Sequence, residues 1–317
     1  KLGNKGAAEE EEEEDSKDVV EEEDSKGGEG GGDGGGDADD EDEEEEEEVP
    51  EKVVGHSLTH LPSTADDSPG SLLMFGGALE ASGSDATNEM FRFDLSTNKW
   101  SSVTTHNRPG PRARHASTVV PATPITGPGR HLVVFGGCMV EAKEGEDAGV
   151  APPGAAPGAP TSLSDLWVVS MDDVAAAAAS SDAEPEPVRW KQLELDGDIP
   201  ALTAPGIMAM EGPMGVQLLI LGGHLQDAAV NTSKGWLVDL SESPCPVTKV
   251  EFAGDAPNCT SQLFVMPGCP TGELGLPLVS SAKLVAHCSQ ATYVNRAWAM
   301  VDMATKRFTK RENGGVP

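Results

Sequence analysis

A short apolar run closed by two glycines appears three times in this chain, and a worn fourth version follows. Leu72-Leu73-Met74-Phe75 leads into Gly76-Gly77, Leu132-Val133-Val134-Phe135 into Gly136-Gly137, and Leu218-Leu219-Ile220-Leu221 into Gly222-Gly223. The fourth, Lys283 to Cys288, has no glycine pair. A wholly apolar run of this length, ended by glycine, reads as a strand buried on both faces. After a polar loop each copy continues into a second strand-like run: Met90–Leu95, Asp165–Val169, Gly235–Leu240 and Ala297–Asp302. In the first of these Phe91 and Phe93 flank Arg92, the alternation of a strand with one buried face. The second glycines lie 60 residues apart from Gly77 to Gly137 and 86 from Gly137 to Gly223. Both steps exceed a bare repeat of about 50 residues, so loop insertions must absorb the difference.

These residues resemble the kelch repeat. Its pattern is an apolar strand, Gly-Gly, an aromatic three residues before an Asp, and a Trp six residues after that Asp. Phe91, Asp94 and Trp100 fill all three places in the first copy. The second has Trp167, but Ser170 stands in place of the Asp, and Trp190 follows only after an insertion. Trp236 and Asp239 fit the third; the fourth keeps Asp302 and has Phe308 at the Trp position, with Trp298 one place early. The resemblance covers roughly residues 55–311 and implies an all-β fold of kelch-type β-propeller blades. The expectation is four four-stranded antiparallel blades, a segment of a larger propeller. Trp100, Trp167, Trp190 and Trp236 are expected in the blade core.

A second mark separates the units. Arg108-Pro109-Gly110-Pro111, Gly197-Asp198-Ile199-Pro200, Gly254-Asp255-Ala256-Pro257 and Gly314-Gly315-Val316-Pro317 each close one, giving blades at approximately 53–108, 109–197, 198–254 and 255–314. The segment Gly55–Leu61 parallels Arg114–Val120, the strand before the glycine pair. Low-complexity insertions are expected at 140–163 and 173–188, and a third at 267–281; Ala, Pro and Gly runs offer few groups that could recognise anything. The run Ala175–Ala179 could form one helical turn, marginal by itself.

Charge divides the chain. Its formal net charge is -32, and residues 1–50 hold 25 acids against four lysines. Like charges at that density, with few apolar residues, leave residues 1–52 an expected disordered tail, with basic proteins as its partners if it has any. The remaining 29 acids and 18 bases make the repeat region mildly acidic, without the basic surplus of a nucleic-acid binder. No apolar run has the length to span a bilayer. Five cysteines, Cys138, Cys245, Cys259, Cys269 and Cys288, show no CxxC spacing and read as reduced thiols of an intracellular protein. The triplets Asn231-Thr232-Ser233 and Asn258-Cys259-Thr260 would carry glycans only in a secreted chain.

Catalytic motifs do not emerge. The repeat region contains no GxSxG elbow, phosphate loop, HExxH or dinucleotide fingerprint. His56 and His60 sit four apart with no third ligand beside them. Some kelch-like propellers carry a tyrosine-based copper site, which Tyr293 as sole tyrosine does not match. The expectation is therefore no enzyme, no cofactor and no metal. The resemblance implies a non-catalytic protein-interaction scaffold, cytoplasmic or nuclear, with neither nucleic acid nor membrane as partner. The alternative is a regulatory or substrate-positioning kelch domain of a larger enzyme, such as a Ser/Thr phosphatase or tRNA-modifying methyltransferase. Arg112, Arg114 and His115 are the candidate interface residues, because arginine is favoured at interfaces.

Overall fold

The computed structural model describes residues 49–63, 69–79, 85–139, 160–179, 187–225, 234–254, 262–287 and 298–310. The acidic stretch 1–48, expected to be disordered, lies outside them, as do most of the first insertion, both glycosylation triplets' asparagines, Tyr293, Cys259 and Cys288.

The first repeat folds as a four-stranded antiparallel sheet of β1 (Ser57–Leu61), β2 (Ser71–Ala78), β3 (Ala86–Asp94) and β4 (Lys99–Ser102), in that order. Its register pairs Leu58 with Met74 and Met74 with Phe91, and sets Leu72 between His60 and Phe93. Chain order and sheet order coincide because each strand is joined to the next by a hairpin.

A two-residue strand, β5 (Thr105–His106), leaves this sheet and joins the next blade. That blade contains β6 (Ala116–Val120), β7 (His131–Phe135), β8 (Cys138–Met139), β9 (Thr161–Ser162), β10 (Leu166–Ser170), helix α1 (Met171–Ala179) and β11 (Val188–Leu193). Its main sheet runs β6, β7, β10, β11, β5, with β8 and β9 forming a small ribbon. Blade 3 follows the same plan: β12 (Leu195–Asp196), β13 (Leu202–Thr203), β14 (Gly206–Gly212), β15 (Gly215–Leu221), β16 (His224–Leu225), β17 (Lys234–Asp239) and β18 (Cys245–Glu251). Blade 4 comprises β19 (Ala253–Gly254), β20 (Gln262–Val265), β21 (Lys283–His287), β22 (Trp298–Asp302) and β23 (Arg307–Lys310).

The four antiparallel strands per blade match the sequence expectation. The fifth strand was not foreseen. β5, β12 and β19 each continue from the last strand of one blade and pair in parallel with the last strand of the next. Each stitches consecutive blades by backbone hydrogen bonds, and two residues are too few to give a sequence pattern. Blade 1, with no described blade before it, stops at four strands.

The first strands β1, β6, β14 and β20 neighbour one another in succession. Between blades lie three apolar layers. Leu73 and Phe75 of blade 1 meet Leu132, Val134 and Trp190 of blade 2; Val133 and Phe135 meet Leu218, Ile220 and Trp236; Leu219 and Leu221 meet Leu284, Ala286, Val301 and Phe308. Side chains alternate across a strand. The residue before the glycine pair and the one two places earlier therefore face the following blade, while the two between and before them face the preceding one. That is why the run has to be apolar throughout.

Two insertions are more structured than their composition implies. Helix α1 begins at Met171, just before the second one, and runs into it; its Met171 and Val174 are fully buried in the layer between blades 1 and 2. Ser170 accepts a hydrogen bond from the Asp173 backbone, capping the helix. Packing and a cap supply what a lone polyalanine turn lacks. The third insertion is tied to blade 3: Glu211 receives the backbone N–H groups of Glu273 and Leu274 at 3.0 and 2.8 Å, and exchanges backbone bonds with Pro277 and Val279.

Candidate functional site

The glycine pairs position the segments that cross from blade to blade. Gly76, Gly136 and Gly222 have φ of +62°, +63° and +72°, and Gly77, Gly137 and Gly223 have +111°, +97° and +83°. A side chain is strained there. Space also forbids one: a Cβ on Gly76 would lie 2.7 Å from the Arg112 carbonyl oxygen, and on Gly136 2.7 Å from that of Leu202. Both carbonyls belong to the segment leading into the following blade. The glycines thus allow that segment to cross against the end of the central strand.

Along the first crossing, Gly77 donates its N–H to the Arg112 carbonyl at 2.9 Å, and Arg112 donates its own to Thr87 at 3.0 Å. Arg114, at φ +54°, donates its N–H to Gly55 and receives that of Ala204, both at 2.7 Å. Its backbone therefore links blade 1 to the segment entering blade 3. Arg112 is 1% exposed. Its guanidinium clasps Asp165 with two bonds of 2.7 and 2.8 Å and also reaches the carbonyls of Gly136 and Gly110. Asp165 accepts a further bond from the Trp167 indole at 2.6 Å. Burial alone would raise the Asp165 carboxyl, but the Arg112 hydrogen bonds and charge outweigh it and hold it below the usual carboxylate range.

His115 is buried beside this pair. Its Nε2 lies 2.9 Å from the Ser57 hydroxyl, and its ring meets Phe75 edge-on, with centroids 5.3 Å apart. Burial, with the Arg112 and His56 charges, pushes its pKa down to about 3, so it is neutral at physiological pH.

The three candidate interface residues therefore have different surroundings. Arg112 and His115 belong to the interior of the junction between blades 1 and 2, where a buried charge must be paired. Arg114 is half-buried and Arg108 exposed. Asp165, the partner of Arg112, was missed in the sequence: the two are 53 residues apart, and no local pattern joins them.

The repeated aspartates cap the turn after the third strand of their blade. Asp94 accepts the N–H groups of Ser96 and Thr97, Asp239 that of Ser241, and Asp302 that of Thr305. These bonds hold all three carboxyls below their ordinary value; at Asp239 they do so against burial, which raises it. In blade 2 the same position is Ser170, and it caps helix α1 instead of a turn. The tryptophans divide: Trp190 and Trp236 are 2% and 4% exposed, whereas Trp100 and Trp167 are half-buried, and Trp100 lies tilted against Phe93 with centroids 5.0 Å apart. Phe308 takes the corresponding place in blade 4, buried against Phe252.

His56 and His60 bond to the backbone carbonyls of Val53 and Pro69. Among the described residues no three His, Cys, Asp or Glu side chains gather where a metal ion could sit. Burial raises the thiol pKa of Cys138, and that of Cys245 to about 11. Among the described residues no helix is long and apolar enough to cross a membrane.

The class that this architecture defines is the β-propeller: antiparallel blades in sequence, each packed face to face on the last. No known protein-family model matches the sequence.

Proposed function

We propose that this is a kelch-type propeller whose function is protein recognition: a non-catalytic scaffold, cytoplasmic or nuclear, that presents loops from stitched blades to a protein partner. The observation that carries the reading is the repeated construction of the crossings. Glycine pairs of positive φ, aspartate-capped turns and three apolar layers give a rigid frame, the arrangement on which recognition loops are ordinarily mounted. The kelch assignment rests on Gly76-Gly77, Gly136-Gly137 and Gly222-Gly223 together with Asp94, Trp100, Trp190, Trp236 and Asp239. Arg114, with the exposed Arg108 close in sequence, is the part of the candidate interface that remains at the surface. The acidic stretch before residue 49 supplies a second, long-range electrostatic contact suited to a basic partner.

The test is affinity isolation of the tagged full chain from its own cells, followed by binding measurements with each recovered protein. Direct binding that weakens with Arg108→Glu and Arg114→Glu, at unchanged melting temperature, supports the reading. Substrate turnover by the purified chain, or recovered proteins that all fail to bind it directly, overturns it.

A further inference from the structure

The first strands β1, β6, β14 and β20 each stand at one end of their sheet. Among the described residues only β14 has that outlying edge paired, and what pairs with it is a loop of blade 4. Residues 270–278, between β20 and β21, form a small hairpin. Thr271 bridges Pro277, Gly272 donates its N–H to the Leu276 carbonyl at 2.9 Å, and Leu278 donates to Pro270 at 3.2 Å. This strap leaves its own blade and lies on blade 3. Leu278 pairs in parallel with Glu211 of β14, whose N–H reaches the Pro277 carbonyl and whose carbonyl takes the Val279 N–H, both at 2.9 Å. The Glu211 carboxylate accepts the N–H groups of Glu273 and Leu274, one on each oxygen. Four hydrogen bonds thus hold the strap to one residue. Gly272 is seated so close that a Cβ there would overlap the carboxylate. Leu276 packs on the apolar layer between blades 2 and 3 and Pro277 is buried, whereas Glu273, Leu274 and Gly275 at the tip are exposed.

A strand edge offers its N–H and C=O groups to any extended segment, and here the strap already fills that role. A loop with an exposed tip, few buried side chains and one latching residue opens at lower free energy than the sheet beneath it. We propose that the end of β14 is a peptide-docking site, and that residues 270–279 are a strap that occupies it in cis, latched by Glu211. The strap specifies the peptide that displaces it. That peptide has a turn presenting two consecutive N–H groups to the carboxylate, then an apolar residue in the Leu276 place and a Pro-Leu step that pairs with the Glu211 backbone. The carboxylate is the selective element: half-buried, it loses two donors when the strap lifts and regains them only from a segment of the same shape. Glu211 lies at the end of β14 far from the Arg114–Ala204 crossing, so the site is independent of the interface proposed above.

The test has two arms, both on the full chain. Hydrogen exchange read by mass spectrometry compares the wild type with Glu211→Ala and Glu211→Gln. In Glu211→Ala, residues 270–279 should exchange at least about 10-fold faster, because bonds to a charged acceptor are lost, while β15 and β17 stay unchanged. Glu211→Gln keeps a neutral acceptor and should fall between the two. In the second arm a labelled synthetic peptide of residues 270–279 is titrated onto the wild type, Gly272→Ala and Leu276→Ser. Both variants loosen the strap and leave Glu211 intact, and both alter a surface loop, so the circular dichroism and melting temperature of the wild type should be kept. The peptide should bind each of them at least about 10-fold more tightly than the wild type, whose site is already filled, and adding Glu211→Ala should abolish the gain. Unchanged exchange in Glu211→Ala, or faster exchange that spreads equally to β15 and β17, would overturn the latch. A peptide that binds the wild type as well as the variants, or binds none of them, would overturn the docking site.

Discussion

Trp190 and Trp100 hold the same place in consecutive blades and meet different fates. Trp190 lies against Phe75 of blade 1, with centroids 4.9 Å apart, and is 2% exposed. Among the described residues Trp100 meets a ring of its own sheet, Phe93, tilted against it, and is half-buried. The repeat specifies where the ring sits on its sheet, but the blade before it determines whether the ring is covered. In a propeller, a repeat mark is half of a junction.

The largest effect that would break this comparison is expected at Trp190. Its replacement by Ala should cost about 3–5 kcal/mol in chemical unfolding, as for a large buried aromatic. A loss under 1 kcal/mol would mean that the layer between blades 1 and 2 is not as tight as described. Arg112→Met should cost about 3 kcal/mol, because Asp165 keeps its charge and loses its partner; adding Asp165→Leu should recover much of the loss. Failure of the double variant to recover any would show that the pair is not what ties the crossing down.

Acid should act on the same junction. The unfolded chain binds a proton at His115 near 6.5, whereas the folded chain resists it down to about 3. Stability is therefore full above pH 6.5 and falls by about 1.4 kcal/mol per pH unit below it. The depressed Asp165 carboxyl, whose contribution holds above its ordinary pKa, adds to the loss only at still lower pH. Urea melts at pH 7, 6 and 5 should show this slope, and His115→Gln should flatten it; an unchanged slope would remove His115 as its source. The smallest effect is expected at Trp100, where Ala should cost about 1 kcal/mol because little covered area is lost. A loss equal to that of Trp190→Ala would erase the contrast.

Much of the frame was legible in the sequence because its determinants are local. A glycine pair ending an apolar run marks both the strand and the crossing, and an aspartate before a turn marks its cap. The interior of the junction was not legible. Arg112 reads as a surface arginine until Asp165 arrives from the distant loop before β10, and His115 as a polar residue until Phe75 and Ser57 enclose it. The stitching strands are two residues long and show no pattern. Helix α1 was hidden by its composition, because its stability comes from Met171 and Val174 packing rather than from its alanines. Blade 4 lost its glycines yet kept its place, because Leu284, Ala286 and Val301 preserve the alternation on which packing depends.

What separates Trp100 from Trp190 is the blade packed on the second ring. Hydroxyl-radical footprinting of the full chain, read by mass spectrometry, compares Trp100, Leu58 and Phe264 with Trp190 and Phe135 in one sample. The predicted result is strong labelling of the first three, with Trp190 and Phe135 protected. Equal protection of Trp100 and Trp190 would contradict it.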